Sequence, residues 1–544
     1  MKTWILFLLL FFSINSFAQT SEILVLFKDL NLKESQILTL DSMGFRSEVV
    51  SRGNQGFPRM QLLRLHSPRD IRAALATLRA NSLVKYAEPN YEVHLVKSFV
   101  RLPFNETSDL QWNFVNKGQI DSDGHEGVVG ADIHMAPVWE KNWRGSRNVL
   151  VATIDTGIDW THPALQENIF TNEKESGVNS NNGIDDDGNG YIDDVHGFNT
   201  LNSSNKSNDD NGHGSHVAGI IGAMALKDSS VVGINQKVSL LPVKCLDASG
   251  TGTLQSVVDG LSYAIMMKAQ IINNSWAMTE KSQILEDLVK ETEKQGIVMV
   301  AAAGNSWVNL EGFKLYPASF QQTNTISVAA SNNRDLLWNL SDTGPYTVDV
   351  AAPGENILST DKKGQYKIRS GTSMAAPHVT GIAALLKAEH PDWQASQIKE
   401  HIVGSCDPLI EFRHKVKCQG RVNAWNALNG ITPPNPFVKE EAFKAEPFVI
   451  ESGHPYENRL NQYFDVQKPG AKYIRVRLEK VELEWDRDHL YIETPDGQVV
   501  EQIDGSLEDY PTDYVEGDHL RIRLKTDGSR TYYGFKVKAV EFVN

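Results

Sequence analysis

Four separated stretches of the chain carry side chains that could together perform acyl transfer. Asp155 ends an apolar run and Asn305 follows an alanine-rich run. His213 opens a run of small residues, and Ser373 opens a long helical pattern. A nucleophile, a base, a carboxylate that orients the base and an amide donor are the groups that this chemistry needs. Each residue alone has a structural explanation, such as a turn or a helix cap, so the prediction depends on the set.

Other reactive side chains near these stretches are better explained by packing. His216 lies inside the helix that His213 opens, and we interpret it as a hydrogen-bonded structural residue. His378 lies in the helix that Ser373 opens and is interpreted in the same way. Pro377 before it is compatible with the first turn of that helix, where a missing N–H costs little. Cys245 lies in an apolar run, which favours a buried core thiol over a nucleophile.

The elements that must position these residues alternate between strand and helix from about 111 to 430. This order predicts an α/β fold with a doubly wound, mostly parallel sheet covered by helices on both faces. In such a sheet, functional side chains gather at the carboxyl ends of the strands. The strand patterns are Val149 to Ile154, Val238 to Val243, Gln270 to Asn273, Ile297 to Ala303 and Thr325 to Ala330, and helical patterns include Leu254 to Lys268 and Gln283 to Gln295.

With these flanks, the chain order Asp, His, Ser resembles the subtilisin family of serine proteases. The likeness is carried by Ala152-Thr153-Ile154-Asp155-Thr156-Gly157, Asn211-Gly212-His213-Gly214-Ser215-His216, Ala301-Ala302-Ala303-Gly304-Asn305 and Gly371-Thr372-Ser373-Met374-Ala375. It implies that Ser373 attacks the scissile carbonyl while His213 takes its proton and returns it to the leaving amine. It implies further that Asp155 orients the imidazole, and that Asn305 and the Ser373 backbone N–H bind the oxyanion.

The resemblance also implies a cleft for protein or peptide substrates. The segments Gly250-Thr251-Gly252 and Asn274-Ser275-Trp276-Ala277 match the family's two substrate-flanking segments, and Gly304 stands beside the oxyanion donor. An extended peptide adds there as a strand, so that backbone hydrogen bonds give affinity and pockets give preference. The family commonly has Gly where Ala277 stands. The added methyl either narrows the first specificity pocket or is simply tolerated.

Residues 19–98 resemble the family's inhibitory pro-region, and Ala87-Glu88-Pro89-Asn90-Tyr91 matches its usual ending. The resemblance implies an intramolecular inhibitor that first occupies the active site and is then cut off. Pro89 biases Glu88 towards an extended conformation, which suits a strand-like tail in a cleft. The cut is expected between about Tyr91 and Asp109. The alternative is a permanent α+β domain with no inhibitory role.

An acidic turn between the Asp and His motifs has the spacing of an EF-hand-type calcium loop. Counted from Asp185 as the first position, the ligands at positions 3, 5, 7 and 9 are Asp187, Asn189, the Tyr191 carbonyl and Asp193. Position 12 is His196 instead of Glu, so Asp194 would supply the missing carboxylate. Similar loops occur in subtilisin-like proteases, and we expect calcium as a cofactor. The alternative is a solvated acidic loop.

From about 448, short alternating strands and turn residues predict an all-β sandwich of ~100 residues. The unit resembles a CUB domain around His454-Pro455-Tyr456 and Thr526-Asp527-Gly528-Ser529, although the usual cysteines are absent. In calcium-binding members of that family three acidic positions hold the ion. The corresponding residues here are Glu484, Asp488 and Asp527, and the alternative is that they are acidic turn residues on a solvated sheet.

The N-terminus predicts export. Residues 1–18 combine a basic start, an apolar run and a small-x-small end, which matches a signal peptide cut before Gln19. The apolar run is shorter than the ~20 residues that a membrane span needs. We therefore expect a secreted protein, extracellular or periplasmic in a double-membrane cell. In an exported chain, Cys406 and Cys418 are close enough in sequence to pair.

Composition narrows the class of protein. The chain has 53 Lys and Arg against 68 Asp and Glu, a net charge of −15, whereas a nucleic-acid binder would be basic. Three cysteines exclude a disulfide-built scaffold. We expect a monomer with no membrane span, whose partners are protein substrates and its own pro-region.

The 544 residues therefore divide into six segments. They are a signal peptide (1–18), an inhibitory propeptide (19–98), a linker (99–110), a subtilisin-like peptidase domain (111–430), a second linker (431–447) and a CUB-like sandwich (448–544). The combined prediction is a secreted serine endopeptidase, made as a self-processing zymogen and stabilised by calcium. The alternatives are a catalytically silent binding or adhesion protein and an exopeptidase on the same fold.

Overall fold

The computed structural model describes residues 21–28, 46–51, 60–64, 71–96, 99–101, 111–226 and 231–544. The predicted signal peptide lies outside these ranges. Within them, no helix has both the length and the apolar character that crossing a bilayer requires.

The N-terminal unit is a four-stranded antiparallel sheet with strand order β2-β3-β1-β4 and one helix packed on it. Strand β1 is buried on both faces: Ile23 and Val25 pack with the helix, whereas Leu24 and Leu26 pack towards the middle unit. This is why its sequence is apolar without alternation. The elements are β1 Glu22–Phe27, β2 Arg46–Ser51, β3 Met60–Arg64, α1 Ile71–Ala80 and β4 Val84–Pro89.

Two further strands, β5 Glu92–Leu95 and β6 Phe99–Arg101, leave this unit and pair with the next one. Strand β6 lies inside the segment that the sequence indicated as a linker. Phe99 and Val100 favour a strand, but a run of three residues is too short to predict one, and its backbone partners are supplied by a distant part of the chain.

The middle unit contains a nine-stranded sheet with the order β18-β19-β15-β14-β13-β11-β7-β9-β8. All neighbouring strands are parallel except the edge pair β18 and β19. The elements are α2 Met135–Glu140, β7 Gly145–Asp155, β8 Phe198–Asn199, α3 His213–Gly222, β9 Lys237–Lys244, β10 Thr251–Thr253, α4 Leu254–Met266, β11 Ile271–Asn274, β12 Trp276–Ala277, α5 Gln283–Lys294, β13 Val298–Ala302, β14 Thr325–Ser331, β15 Val350–Pro353, β16 Ile357–Asp361, β17 Gln365–Ser370, α6 Thr372–Glu389, α7 Ala395–Gly404, β18 Asp407–Pro408, β19 Gly420–Arg421 and α8 Ala424–Asn429.

Helices cover both faces of this sheet, as predicted. Alternate residues of β7 enter two separate cores: Val149 and Val151 pack with α3, α6 and α7, whereas Ala152 and Ile154 pack with α4 and α5. Burial on both faces explains the continuous apolar runs that identified the central strands. The doubly wound parallel sheet is confirmed.

The C-terminal unit is an all-β sandwich of a five-stranded and a four-stranded sheet around one apolar core, which confirms the predicted architecture. Its first strand begins at Lys444, inside the segment indicated as the second linker. The strands are β20 Lys444–Glu451, β21 Asn461–Gln467, β22 Tyr473–Glu482, β23 His489–Glu493, β24 Val499–Ile503, β25 Ser506–Pro511, β26 Val515–Glu516, β27 His519–Lys525 and β28 Gly534–Val543.

A buried polar cluster joins the sandwich to the middle unit. The Tyr510 hydroxyl donates to Glu501 at 2.6 Å and lies 3.0 Å from His414 Nε2. Burial raises the pKa of Glu501 to about 8 and lowers the pKa of His414 to about 3. Nearby, Arg413 forms an ion pair with Asp513 at 3.0 Å. The two units are therefore held by hydrogen bonds between groups that burial has removed from water.

The cysteines are thiols in this structure. Cys245 is fully buried in an apolar core, as its sequence context indicated. Cys406 is buried and Cys418 half-buried. Burial, together with the neighbouring Cys418 thiol, raises the pKa of Cys406 well above its usual value.

Replacing Tyr510 by Phe should destabilise the contact between the two units. The change removes the hydroxyl that donates to Glu501, which leaves a buried carboxyl oxygen without this donor and should cost about 1–3 kcal/mol of unfolding free energy. Urea unfolding of the full chain measures the effect. Tyr463→Phe is the matched control, since 47% of Tyr463 is exposed. Equal stability of the two variants would contradict the expectation.

Candidate active site

The candidate site lies at the carboxyl end of the nine-stranded sheet. Asp155 is the last residue of β7 and His213 is the first residue of α3, and both are fully buried. The Nδ1 atom of His213 lies 2.8 Å and 3.0 Å from the two carboxylate oxygens of Asp155. A carboxylate in this position favours the tautomer with the proton on Nδ1 and leaves Nε2 available as a base.

Glycines allow the start of α3 to approach the end of β7. A Cβ on Gly214 would overlap the carbonyl oxygen of Gly157, and a Cβ on Gly157 would overlap the carbonyl oxygen of Ser207. Gly157 also has φ of 98°, which favours glycine. The small residues around Asp155 and His213 therefore serve a close approach of backbone to backbone.

Asp209 ties the two motifs together. Its carboxylate accepts from the Thr156 hydroxyl at 2.8 Å and from the N–H groups of Gly212 at 2.8 Å and Ser215 at 2.9 Å. The Thr156 hydroxyl in turn accepts from the Gly214 N–H at 3.0 Å. Burial raises the pKa of Asp209. Sequence reasoning missed this residue, because it stands in a polar turn among other acidic residues.

Ser373 is the second residue of α6, which packs against α3. Its buried hydroxyl lies 3.2 Å from the carbonyl oxygen of Val96 and 3.1 Å from that of Ser275, and its single proton is shared between these two acceptors. The Nε2 atom of His213 is buried and has no hydrogen-bond partner among the described residues. The structure thus sets the predicted nucleophile and base in the first turns of two packed helices, with a carbonyl group of the N-terminal chain at the nucleophile.

Asn305 is oriented by the residue that precedes the nucleophile. Its Oδ1 accepts from the Thr372 N–H at 2.9 Å and from the Thr372 hydroxyl at 2.8 Å. Because these donors hold the oxygen of the amide, its NH₂ group points away from Thr372. A fixed amide donor beside the start of the nucleophile's helix is what a developing oxyanion requires.

Buried Asp342 holds the loop that carries Asn305. Its Oδ1 accepts from the N–H groups of Ser306 at 2.8 Å and Val308 at 2.9 Å, and its own N–H donates to the Gly304 carbonyl at 3.0 Å. A Cβ on Gly304 would overlap Asp342, so this position requires glycine. Burial raises the pKa of Asp342 to about 7. Its distance from Asn305 along the chain hid this role from sequence reasoning.

The two predicted substrate segments flank a strand of the N-terminal chain. Strand β5 lies between β10 and β12 and is antiparallel to both. The Leu95 N–H donates to the Gly250 carbonyl at 2.8 Å. The paired residues are Thr251 with His94, Gly252 with Val93, Trp276 with Leu95 and Ala277 with His94.

After Val96, the N-terminal chain also pairs with a strand outside the segments that flank β5. Strand β6 is antiparallel to β17, the strand that leads into α6, and Phe99 is opposite Ser370. The N-terminal chain is therefore paired as a strand on each side of Val96, through β5 and β6.

The N-terminal unit also caps two helices of the middle unit. At the start of α5, the Glu88 carboxylate accepts from the Ser282 hydroxyl at 2.7 Å and the Gln283 N–H at 2.9 Å. At the start of α4, the Tyr91 carbonyl accepts from the Leu254 N–H at 2.7 Å. Helix starts carry unpaired N–H groups and a partial positive charge, so a carboxylate and a carbonyl are suitable partners.

The histidines next to the catalytic motifs are structural. His216 Nε2 lies 3.1 Å and 3.0 Å from the carbonyl oxygens of Ile357 and Lys367. His378 Nδ1 lies 2.8 Å from a carbonyl oxygen of its own helix. Burial lowers the pKa of His216 well below its usual value and that of His378 to about 4. Both rings are therefore neutral near pH 7.

The acidic turn folds around a carboxylate that precedes it. Oxygen atoms of Glu175, Asp185 and Asp187 lie within 4.8 Å of one another, and Glu175 is fully buried. Three carboxylates at this spacing suit a hard cation such as calcium. Glu175 was missed from sequence, because nothing in its short 3₁₀ helix distinguishes it from Glu173.

The other predicted ligands of this turn also form hydrogen bonds, and their role as ligands stays a prediction. Asp193 accepts from N–H groups within the turn, and Asp194 accepts from the Tyr263 hydroxyl at 2.7 Å and from Asn189 at 3.1 Å. The Tyr191 N–H donates to the Asn189 side chain at 2.7 Å. Burial raises the pKa of Asp194 to about 6. These groups shape the turn around the three-carboxylate cluster.

A second acidic cluster lies in the sandwich. The structure brings together the three residues indicated by sequence, since oxygen atoms of Glu484, Asp488 and Asp527 lie within 4.8 Å of one another. Asp488 is fully buried and accepts from the Tyr456 hydroxyl at 2.5 Å and the Asp527 N–H at 2.7 Å.

Comparison with known proteins gives two family matches. The Subtilase family matches residues 146–427 and the Fervidolysin N-terminal prodomain matches residues 20–90. A thermophilic serine proteinase of Bacillus sp. (strain AK1) is 30% identical over 75% of this chain and 87% of its own length. Subtilisin-like protease 1 of Plasmodium berghei (strain Anka) is 34% identical over 54% of this chain and 52% of its own length.

The chain therefore belongs to the subtilase family of serine proteases. Residues 146–427 form its subtilase domain, and residues 20–90 match a fervidolysin-like N-terminal prodomain. The chain spans about half the length of the Plasmodium relatives that it matches, 52% and 47% for the first two. The CUB likeness of the sandwich stays a prediction.

The pKa of Asp342 generates a prediction about stability. A carboxyl whose pKa is raised on folding binds its proton more tightly in the folded state. The contribution of Asp342 to the free energy of unfolding therefore falls as pH rises from about 4 to about 7. Asp342→Asn should reduce this fall by on the order of 1 kcal/mol for each pKa unit of the shift. Melting temperatures of a Ser373→Ala chain at pH 5 and pH 8 measure it, with exposed Asp392→Asn as the control. Parallel pH profiles for both variants would refute the assignment.

Proposed function

We propose that this protein is a secreted serine endopeptidase that acts through Asp155, His213 and Ser373 and is made as a zymogen. The observation that carries the proposal is the buried Asp155–His213 contact at the start of α3, which packs against α6, where the Ser373 hydroxyl lies 3.2 Å from the Val96 carbonyl oxygen. The four groups needed for acyl transfer through a covalent intermediate are all present.

The mechanism follows from these positions. The Ser373 hydroxyl rotates towards His213, gives its proton to Nε2 and attacks the scissile carbonyl carbon. The negative charge on the tetrahedral oxyanion is stabilised by the Asn305 NH₂ group and the Ser373 N–H. His213 returns the proton to the leaving amine, and Asp155 stabilises the imidazolium throughout. Water then hydrolyses the acyl-enzyme by the same route.

Internal cleavage is favoured by the chain that crosses the cleft. Strands β5 and β6 are paired with β10, β12 and β17, so a peptide can extend away from the nucleophile in both directions. An exopeptidase needs a barrier on one side of the scissile bond. The alternative of a silent binding protein is disfavoured, because such a protein has no need for a buried carboxylate–imidazole pair beside a nucleophile.

Zymogen regulation is the natural role for the N-terminal unit. It fills the cleft with β5 and caps the helices α4 and α5, so substrate cannot enter while it remains docked. We propose that the unit is the protein's own inhibitor and that the domain limits follow the six predicted segments, with β6 and the start of β20 as the adjustments noted above. Secretion, a monomeric state and protein substrates belong to the same proposal.

Calcium is the proposed cofactor. At the first site Glu175, Asp185 and Asp187 supply the oxygen ligands that this ion prefers, and at the second site Glu484, Asp488 and Asp527 do so. The bound ion would neutralise mutually repelling carboxylates and so stabilise each turn. It supplies no step of the hydrolysis.

Replacing Ser373 or His213 by Ala should abolish proteolysis. We expect kcat to fall on the order of 10⁶-fold, the loss that these changes cause in subtilisin, and Asn305→Ala should cost about 10²–10³-fold. Hydrolysis of casein and labelling by a serine-directed covalent inhibitor are the measurements. Ser262→Ala is the control, since its hydroxyl bonds a carbonyl of its own helix. Unchanged hydrolysis and labelling in Ser373→Ala would exclude the proposed nucleophile.

Calcium should raise the melting temperature of the uncut Ser373→Ala chain by several degrees, because a ligand at 100 times its Kd stabilises the folded state by about 2.7 kcal/mol. Asp187→Asn should lose part of this gain. Asp186→Asn should keep it, because Asp186 is an exposed neighbour whose carboxylate accepts from Asn182 outside the cluster. A melting temperature that is indifferent to calcium and to chelator would refute both sites.

A further inference from the structure

One carbonyl group of the N-terminal chain lies at the predicted nucleophile. The Val96 carbonyl oxygen lies 3.2 Å from the Ser373 hydroxyl. The chain on one side of it is bound as β5 and the chain on the other side as β6, with Lys97 and Ser98 between Val96 and β6. The peptide bond that follows Val96 is therefore the bond that the fold presents to the nucleophile.

We propose that the protease makes its first cut in its own chain between Val96 and Lys97, and that Val93-His94-Leu95-Val96 is its recognition sequence. The protease would accordingly select substrates with aliphatic residues at the first and fourth positions before the cleaved bond. This inference rests on the proposed function and adds the bond and the substrate class to it.

The side chains of this segment differ sharply in burial. Val93 is 0% exposed and Val96 is 7% exposed, and both pack into apolar cores of the middle unit. His94 between them is exposed. Leu95 is half-buried against Gly250, where an added Cβ would lie 2.6 Å from a leucine methyl carbon. Selection should therefore be strong at Val93 and Val96, intermediate at Leu95 and weak at His94, because it follows the apolar surface that each side chain buries.

The first cut is a hydrolysis in two stages. Ser373 Oγ bonds to the Val96 carbonyl carbon while its proton passes to His213 Nε2. The bond from this carbon to the Lys97 nitrogen then breaks, and His213 gives the proton to the new amine. Water attacks the resulting ester, which frees the Val96 carboxylate and restores the Ser373 hydroxyl.

The full chain provides the first test. Intact-mass analysis at early times after refolding should show an N-terminal fragment that ends at Val96, with a cutting rate that does not depend on protein concentration. The Ser373→Ala chain should stay uncut. A different C-terminus on the first fragment overturns the inference and leaves the proposed function standing. Equal cutting of the Ser373→Ala chain overturns the proposed function itself.

Peptides provide the second test without the risk that a variant precursor fails to fold. The processed wild-type enzyme is given the octapeptide Val93–Val100 and three versions with Val93→Asp, Val96→Asp or His94→Asp. Burial of a carboxylate should lower kcat/KM at least about tenfold for each valine change. The His94→Asp peptide has the same added charge at an exposed position and should be cut within about threefold of the parent.

The outcomes of the peptide test are distinct. Cleavage after Val96 with the expected ranking supports the recognition sequence. Equal rates for all four peptides, or cleavage elsewhere in the octapeptide, overturn the recognition sequence. If an enzyme that still hydrolyses casein does not cleave the octapeptide, this segment is not a substrate of the mature protein, and the recognition sequence is overturned as well.

Discussion

The contact between the Asp155 carboxylate and the His213 imidazole requires a helix start to meet a strand end with no side chain between them. Gly214 and Gly157 provide this approach, because a Cβ on either would overlap backbone. Asp209 then fixes the turn before the helix through hydrogen bonds to both motifs. The parallel sheet makes the contact between Asp155 and His213 possible, since it brings the carboxyl ends of its strands to one edge.

Buried carboxylates organise the loops of this edge by accepting backbone N–H groups. Asp209 holds the turn before His213, Asp342 holds the loop of Asn305, and Glu175 holds the acidic turn. The acidic excess of the composition is therefore partly structural. Each carboxylate is costly to bury and is retained where several N–H donors compensate it. Carboxylates that the sequence analysis did not single out are thus among the groups that fix the geometry of the site.

The cleft and the N-terminal unit use one form of recognition. Strand β5 supplies backbone hydrogen bonds to two edges, and Glu88 and the Tyr91 carbonyl satisfy N–H groups at helix starts. Apart from those of the Glu88 carboxylate, the contacts that the N-terminal unit supplies use main-chain groups that any sequence offers. The proposed selectivity depends on the side chains that this segment buries against the middle unit, chiefly Val93 and Val96.

Sequence alone determined the parallel α/β sheet and the sandwich, and it predicted the four groups of the site, because apolar periodicity and short motifs are local in the chain. Only the tertiary structure decided which distant groups complete them. Glu175, Asp209 and Asp342 look like ordinary polar turn residues until the fold buries them, and β6 becomes a strand only when β17 supplies its partners. The Val96 carbonyl is likewise one of many until folding places it at Ser373. The physical reason is that burial and hydrogen bonding depend on neighbours in space, which a linear pattern does not contain.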